Sequence, residues 1–481
     1  MVTTLTLLQM NDLHGYLVPH PELVWTPKGP QFPQLGGLAR IKTLFEQVKE
    51  ECAGAVLAFD NGDTFHGTHV AVSTKGEALI PLMNALEFTA MTAHWEFAWG
   101  PEQVDRLATQ LHYPLLAANC YRKSDDSRPF PATMMCKIDE LRVGVIGLAA
   151  TIIDKTMPPH FSKGLRFTDG PEETREEAMR LRAQGADIII VLSHLGLPQD
   201  LKLAQEVPDI DILLSGHTHN RMEDPIRVGK TLVMQSGSHG SFIGRLDLTL
   251  SEGNIIDSHH QLIAIDDSFA EHPEMAELVD EALKVDVGLD RVVGETLITL
   301  HRETCLDAPM DDLLLSAVAK QAGTQIAFSN GWRYGVPVLP GQVTANDLWN
   351  IVPVNPPVST TDMTGLEILK MMEEDLEFTF SCDPFGQRGG YVKRFRGLTL
   401  YVKLENPKGQ RIIRAVCNDD EPLNSTKTYH VSFITSQGVP SDYGTNRQKL
   451  DIKAIDALEK WFAEPEWVDG GLANVGRVIV I

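Results

Sequence analysis

The chain has 481 residues and a formal net charge of −23 at pH 7, with 43% hydrophobic and 22% charged residues. That length suits about two to three domains, and the composition is that of a globular chain able to bury a large core. A surface this acidic repels phosphate backbones, which excludes duplex nucleic acid as a partner and leaves any anionic substrate to a local metal or arginine cluster.

The opening stretch "MVTTLTLLQMNDLHG" has neither a basic start nor a small-residue cleavage site, and no apolar run reaches membrane-spanning length. Six scattered cysteines (Cys52, Cys120, Cys136, Cys305, Cys382, Cys417) include no CxxC pair. The expectation is a cytoplasmic protein with buried thiols and no membrane partner, a trimmed export signal being the alternative.

Through residue 265 one event repeats: a short β-rich run ends in a polar turn, and a helix-like stretch follows. The runs are "TLTLLQM", "GAVLAFD", "RVGVIGLAA", "ADIIIVLSH", "IDILLSGHTH" and "TLVMQSG", with helical segments such as "LARIKTLFEQVKEE" and "PEETREEAMRLRAQG" between them. Such alternation predicts an α/β domain with largely parallel strands covered by helices. A hairpin around Glu252-Gly253-Asn254 closes it. The acidic helical stretch 266–290, with Pro273 near its start, reads as a linker between domains. A second domain, 291–481, shows one helix at "MDDLLLSAVAKQAG", a Pro/Gly-rich loop at "WRYGVPVLPGQV", and strands at "LTLYVKLE" and "YHVSFIT".

Polar groups cluster at the carboxyl ends of the apolar runs: Asp12-Leu13-His14, Gly62-Asp63, His194, and Gly216-His217-Thr218-His219. In open α/β sheets those ends form the ligand crevice, so the side chains should converge. The i, i+2 spacing of Asp12/His14 and His217/His219 places each pair on one face of an extended segment. A carboxylate-and-imidazole set without thiolates suits a first-row divalent metal.

The motifs "DLH", "NGD", "SHLG" and "GHTH" resemble the signature of calcineurin-like metallophosphoesterases. "LLAANCY", "VGVIGLAAT", "LVMQSGSHGSFIGRLDL" and "FSNGWRYGVPVLPGQVTANDLWNIVP" are similar to the two-domain 5'-nucleotidase and UDP-sugar hydrolase branch. The resemblance implies a four-layer α/β/β/α sandwich followed by a smaller α+β substrate-binding domain. It also implies two divalent ions (manganese, zinc or iron), one held by Asp12, His14 and His219 and the other by His194 and His217, with Asp63 bridging. Two such ions activate a water for in-line attack on phosphorus.

In "TAHWEFAWG" the family has Gly-Asn-His-Glu-Phe-Asp. Anchored on Glu96-Phe97, the match puts His94 on the metal-binding Asn, Trp95 on the His and Ala98 on the Asp of a leaving-group dyad. His94 is then either a ligand of the second ion or, with the loop slid by one residue, the acid. His66 and His239 are candidates for leaving-group protonation, and Trp95 reads as a buried wedge. "HWEF" also resembles the loop of bacterial thiosulfohydrolases. In the second domain the resemblance assigns Asn330 and Arg333 to an oxyanion clamp, Tyr391 to a stacking ring and Tyr443 to a second ring. Lys393, Arg394 and Arg396 add positive charge there.

The implied function is a metal-dependent phosphoester hydrolase acting on a small anionic, nucleotide-like substrate. The alternatives are a thiosulfohydrolase-like sulfur-ester hydrolase or a weakly catalytic metal- and nucleotide-binding protein.

Overall fold

A computed structural model describes residues 2–418, 421–464 and 475–481. The chain divides into two compact units: residues up to Val24 with Gln31–Val285, and Asp286 onward with Trp25–Pro30.

The first unit is built on two facing sheets. In the first sheet, β1 (Val2–Met10) pairs in parallel with β2 (Val56–Asp60), which pairs in parallel with β3 (Ala90–Met91). The second sheet carries β4 (Thr133–Ile138), β5 (Leu141–Leu148), β6 (Ile188–Ser193), β7 (Ile212–Leu214), β8 (Ile226–Val228) and β9 (Thr231–Met234), in the spatial order β8-β9-β7-β6-β5-β4. Its inner strands are parallel, and only the edge strands β4 and β8 run antiparallel. The hairpin of β10 (Phe242–Ser251) and β11 (Asn254–Ala264) joins the first sheet, β10 lying antiparallel to β1.

Alternation along the strands sorts the core into layers. Leu5, Leu7, Leu57 and Phe59 pack with Val143, Val145, Ile190, Leu192, Leu214 and Met234 between the sheets. Leu8, Met10 and Ala58 point the other way, onto helices. That outer layer contains α1 (Leu38–Glu51), α2 (Ile80–Leu86) and α3 (Pro101–Gln110); α1 buries Leu38, Ile41, Leu44, Phe45 and Val48 on a helical period. On the far side, α4 (Pro171–Ala183) and α5 (Leu197–Glu206) cover the second sheet. The expected α/β/β/α sandwich is therefore the observed one.

The segment read as a linker differs. Residues Pro273–Leu283 form α6, which packs on α1 and α2 and buries Met275, Val279 and Ala282 in the outer core. Its acidic face drew the linker reading, but the apolar residues at i, i+4 and i+7 make it part of the first unit. That unit thus ends near Val285 rather than at 265.

The second unit is α+β. Its five-stranded sheet runs in the order Arg394–Arg396, Ile326–Ser329, Thr428–Phe433, Pro357–Thr364, Thr445–Lys453. The expected helix appears as Pro309–Ala322, joined by Ala345–Ile351, Gly365–Phe380 and Ala454–Phe462, which the sequence reading passed over. Thr364 and Glu367 form a capping box that starts the long helix Gly365–Phe380. Ile368, Met371, Met372 and Leu376 of this helix meet Phe328, Val431 and Phe433 of the sheet.

If α6 belongs to the first core, Met275→Ala should cost about 2–5 kcal/mol in the unfolding transition of that unit. Chemical denaturation followed by tryptophan fluorescence measures it, and a solvated linker helix would show almost no change.

Candidate metal centre

Every candidate ligand of the first unit sits just past the carboxyl end of a strand. Asp12 and His14 follow β1, Asp63 follows β2, His94 follows β3, His194 follows β6, and His217 and His219 follow β7. The mechanism that pairs them differs from an extended segment. Asp12 (φ 54°), His14 (φ 50°), Asp63 (φ 57°), His217 (φ 71°) and His219 (φ 56°) all occupy the left-handed region. The backbone curls after β1, β2 and β7, which puts Asp12 and His14 in one donor group and sends His217 and His219 to different ones, whereas His94 has φ −149°. Such conformations cost about 1–3 kcal/mol each and persist where the surroundings over-determine them.

Two glycines make the close approach possible. At Gly62 (φ 89°) a Cβ would lie 2.6 Å from the Thr92 carbonyl oxygen, and at Gly67 (φ 143°) it would lie 2.4 Å from the His14 carbonyl oxygen.

The side chains form two donor groups: Asp12, His14 and His219, and Asp63, His94, His194 and His217. In the first, His219 Nε2 is 3.2 Å from Asp12 Oδ1 and 3.3 Å from His14 Nε2. In the second, Asp63 Oδ2 is 3.1 Å from His194 Nε2 and 3.2 Å from His94 Nδ1. The groups touch, because Asp63 Oδ2 also lies 3.6 Å from His14 Nε2, and Asp12 Oδ1 lies 3.7 Å from His194 Nε2. Separations of this size match two donors about 2.0–2.2 Å from a shared ion at a near-tetrahedral angle. Asp12 Oδ1 and His194 Nε2 are buried and take no hydrogen bond among the described residues. The residues present therefore fit divalent metal ions.

The other nitrogens are fixed by backbone. His14 Nδ1 donates to the His66 carbonyl at 3.0 Å and His194 Nδ1 to the Asn61 carbonyl at 2.6 Å, which turns each Nε2 toward the cluster. Burial opposes ionisation of Asp63, but His94, His194 and His14 overcome it and hold its carboxyl well below the usual range. Asp12 is likewise lowered against its burial by His219 and His194. Burial keeps the His14 ring neutral, pushing it well below its ordinary value despite Asp63. Against its burial, Asp63 and Asp12 push the His194 ring from its ordinary 6.5 up to about 10, so the buried carboxylates draw positive charge to the place a metal cation would take.

A layer of polar residues that the sequence reading missed holds these loops in register. Glu96 accepts from the backbone N–H of Thr64 at 2.7 Å, of His94 at 2.7 Å and of Asp63 at 3.3 Å, tying the Asp63 turn to the His94 loop. The Trp95 backbone N–H donates to Asp63 Oδ1 at 2.7 Å, and its ring stacks on His66 at 4.6 Å but is only half-buried, not the fully buried wedge expected. Asn61 donates to the carbonyls of Ser193 and Leu214, and Gln9 donates to Asn61 and to Ser215. Asp200 accepts from the Ser193 and Ser215 hydroxyls, both at 2.6 Å. These serines immediately precede His194 and the Gly216-His217 turn.

Residues 5–221 match the family model described as calcineurin-like phosphoesterase. Residues 289–436 match that of the 5'-nucleotidase C-terminal domain. The chain carries a calcineurin-like phosphoesterase domain followed by a 5'-nucleotidase C-terminal domain. That pairing marks a metal-dependent phosphoester hydrolase.

Among family relatives, the 5'-nucleotidase of Bos taurus is 25% identical over 90% of this chain and 83% of its own length. The trifunctional nucleotide phosphoesterase YfkN of Bacillus subtilis is 25% identical over 91% of this chain, which spans only 32% of that relative. The fold is shared with a sulfate thiohydrolase SoxB of Thermus thermophilus (TM-score 0.88, 24% identity, covering 99% of this chain and 96% of that one). A 5'-nucleotidase precursor from Thermus thermophilus also shares it (TM-score 0.84, 23% identity, covering 100% and 99%).

Within the nucleotidase-type second domain, the structure gathers Asn330, Arg333 and Tyr391. The Tyr391 hydroxyl donates to the Gly331 carbonyl at 3.0 Å, and Thr435 donates to Asn330 Oδ1 at 2.6 Å. Guanidinium groups of Arg394 and Arg333 lie 5.2 Å and 5.9 Å from the Tyr391 ring centre. Tyr443 is half-buried. It packs against the domain core, and burial together with a hydrogen bond to Glu374 pushes its hydroxyl upward in pKa. The basic residues are not a solvated patch: Lys393 Nζ donates to the Gln437 carbonyl, Arg394 donates to the Thr304 carbonyl and pairs with Asp311, and Arg396 donates to Ser316.

Burial pushes the Asp200 carboxyl from its ordinary 3.8 up to about 7. Between those values the native state keeps a proton that the unfolded chain has lost. The stabilisation is full below about pH 4 and is lost as pH rises to about 7. Relative to Asp200→Asn, the metal-free protein should therefore be more stable at pH 5 than at pH 8, as thermal unfolding at the two pH values will show.

Proposed function

We propose that the first domain is a dinuclear centre that hydrolyses phosphate esters of nucleotide type, nucleoside 5'-phosphates or nucleotide sugars. Asp12, His14 and His219 would hold one ion and His94, His194 and His217 the other, with Asp63 between them. The observation that carries this reading is Asp63 Oδ2, which stands 3.1 Å and 3.2 Å from donors of one group and 3.6 Å from a donor of the other. Divalent ions bound there supply Lewis acidity toward a phosphoryl oxygen and an activated water.

The chain's own residues do the positioning. His94 presents Nδ1 to Asp63, which favours the ligand role over the acid role for this ring. Glu96 keeps the His94 loop at a fixed distance from the Asp63 turn, so both sides of the donor set move together or not at all. In the second domain Asn330, Arg333 and Tyr391 are assigned to the anionic substrate, since a guanidinium recognises phosphate bidentately. A second reading, cleavage of a sulfur ester, is supported by the imidazole at position 94 in an "HWEF" loop and by the fold shared with a sulfate thiohydrolase.

Product release from nucleoside 5'-phosphates, UDP-sugars, phosphodiesters and thiosulfate conjugates, measured with added manganese, tests the reading. Hydrolysis of the nucleotide esters that Asp63→Ala reduces by at least about a thousandfold is expected, because that change removes a donor to both groups. Turnover of the thiosulfate conjugates alone would transfer the assignment to sulfur esters, and tight binding without product to a receptor role.

His94→Asn should keep its metal and gain nucleotidase activity, since an amide can occupy the same donor position. Loss of metal from this variant, read by elemental analysis, would contradict the ligand exchange.

A further inference from the structure

A third group of metal-type donors, His20, Glu22 and His239, lies beside the centre but outside both donor sets. It is not a cation site of its own kind, because Glu22 is already neutralised. One of its oxygens pairs with Arg221, and the other accepts from the Ser241 hydroxyl at 2.7 Å. Glu22 is wholly buried. Its second oxygen also lies 3.2 Å from His239 Nδ1.

That contact fixes the tautomer. A carboxylate can only accept, so Nδ1 of His239 carries the proton and Nε2 of the neutral ring carries a lone pair. The ring is buried, and Nε2 takes no hydrogen bond among the described residues. A buried acceptor left unmade costs about 1–3 kcal/mol. The position is also strained: His239 has φ 60°, and its N–H donates to the Asp12 carbonyl at 2.8 Å. Ring centres place it 5.8 Å from His219 and 6.3 Å from His14, with Tyr16 packed edge-on at 4.7 Å. The backbone of one proposed ligand and a clamped carboxylate thus hold an unused acceptor next to two others.

We infer that His239, oriented by Glu22, is a further site residue: its Nε2 accepts a hydrogen bond from an O–H group seated at the Asp12–His14–His219 side of the centre. The donor is the attacking water or a sugar hydroxyl of the substrate. Glu22 is the positioning residue, acting through the ring. No covalent step is involved.

The inference rests on the phosphoesterase reading, but one of its tests does not. In the metal-free protein, 15N NMR of the imidazoles should show His239 as the Nδ1–H tautomer, assigned by its disappearance in His239→Asn. A proton on Nε2 would overturn the inference whatever the activity. Asn tolerates the left-handed backbone, so this variant should fold with unchanged manganese content. Its kcat should fall about 10- to 100-fold with KM within a few fold, as loss of one such hydrogen bond implies. An unchanged kcat refutes the inference. An equal loss with p-nitrophenyl phosphate, which has no sugar, identifies water as the donor; a loss confined to nucleotides identifies a substrate hydroxyl. If the wild-type protein hydrolyses none of these esters, the phosphoesterase reading fails, and the tautomer result still decides the orientation of the ring.

Discussion

Two buried carboxylates, Asp12 and Asp63, surrounded by imidazole nitrogens at 3.1–4.0 Å, are the constraint from which the first domain's architecture follows. Neither can be ionised in a dry interior unless a cation joins it, and both are held ionised by the rings around them. Donors from five strand ends meet at one point, and at three of those ends, after β1, β2 and β7, the backbone turns sharply through left-handed residues. The left-handed residues there, with Gly62 and Gly67 between the loops, are the form that convergence takes. The sheets supply rigidity: β1, β2 and β3 of one and β6 and β7 of the other end at the same rim, with an apolar layer between them.

What keeps that rim from spreading is a set of polar side chains with no metal-binding role. Glu96 replaces water around the Asp63 turn with its own carboxylate. Asn61 and Gln9 stitch the two sheets' strand ends together, and the Asp200–serine contacts tie the ends of β6 and β7 within the second sheet. Each of these groups is buried and has its hydrogen bonds satisfied, so the network specifies one arrangement rather than an ensemble. The "TAHWEFAWG" loop is intelligible in these terms. His94 faces Asp63 Oδ2, Trp95 donates to Asp63 Oδ1, and Glu96 grips the backbone on either side.

The second domain shows the same economy in another form. Its positive side chains are spent on carbonyl oxygens and carboxylates, and its Tyr391 ring lies against guanidinium groups. The cluster of Asn330, Arg333 and Tyr391 is a preformed polar surface, whereas Tyr443 contributes to packing around the helix Gly365–Phe380.

By itself the sequence determined the parallel strands covered by helices and the Asp and His side chains that gather at their ends, whereas the four-layer order came with the family resemblance. Alternating apolar runs can bury themselves in few ways, and Asp and His placed after such runs have one common destination. It did not determine how Asp12 and His14 come to share a face, because left-handed turns leave no periodic trace. Nor did it reveal that α6 belongs to the first core, since its acidic face hides three apolar residues. The pairing of Glu22 with His239, 217 residues apart, was equally out of reach. Only the tertiary structure decides contacts of that separation, because they depend on where whole strands end rather than on any neighbouring residue.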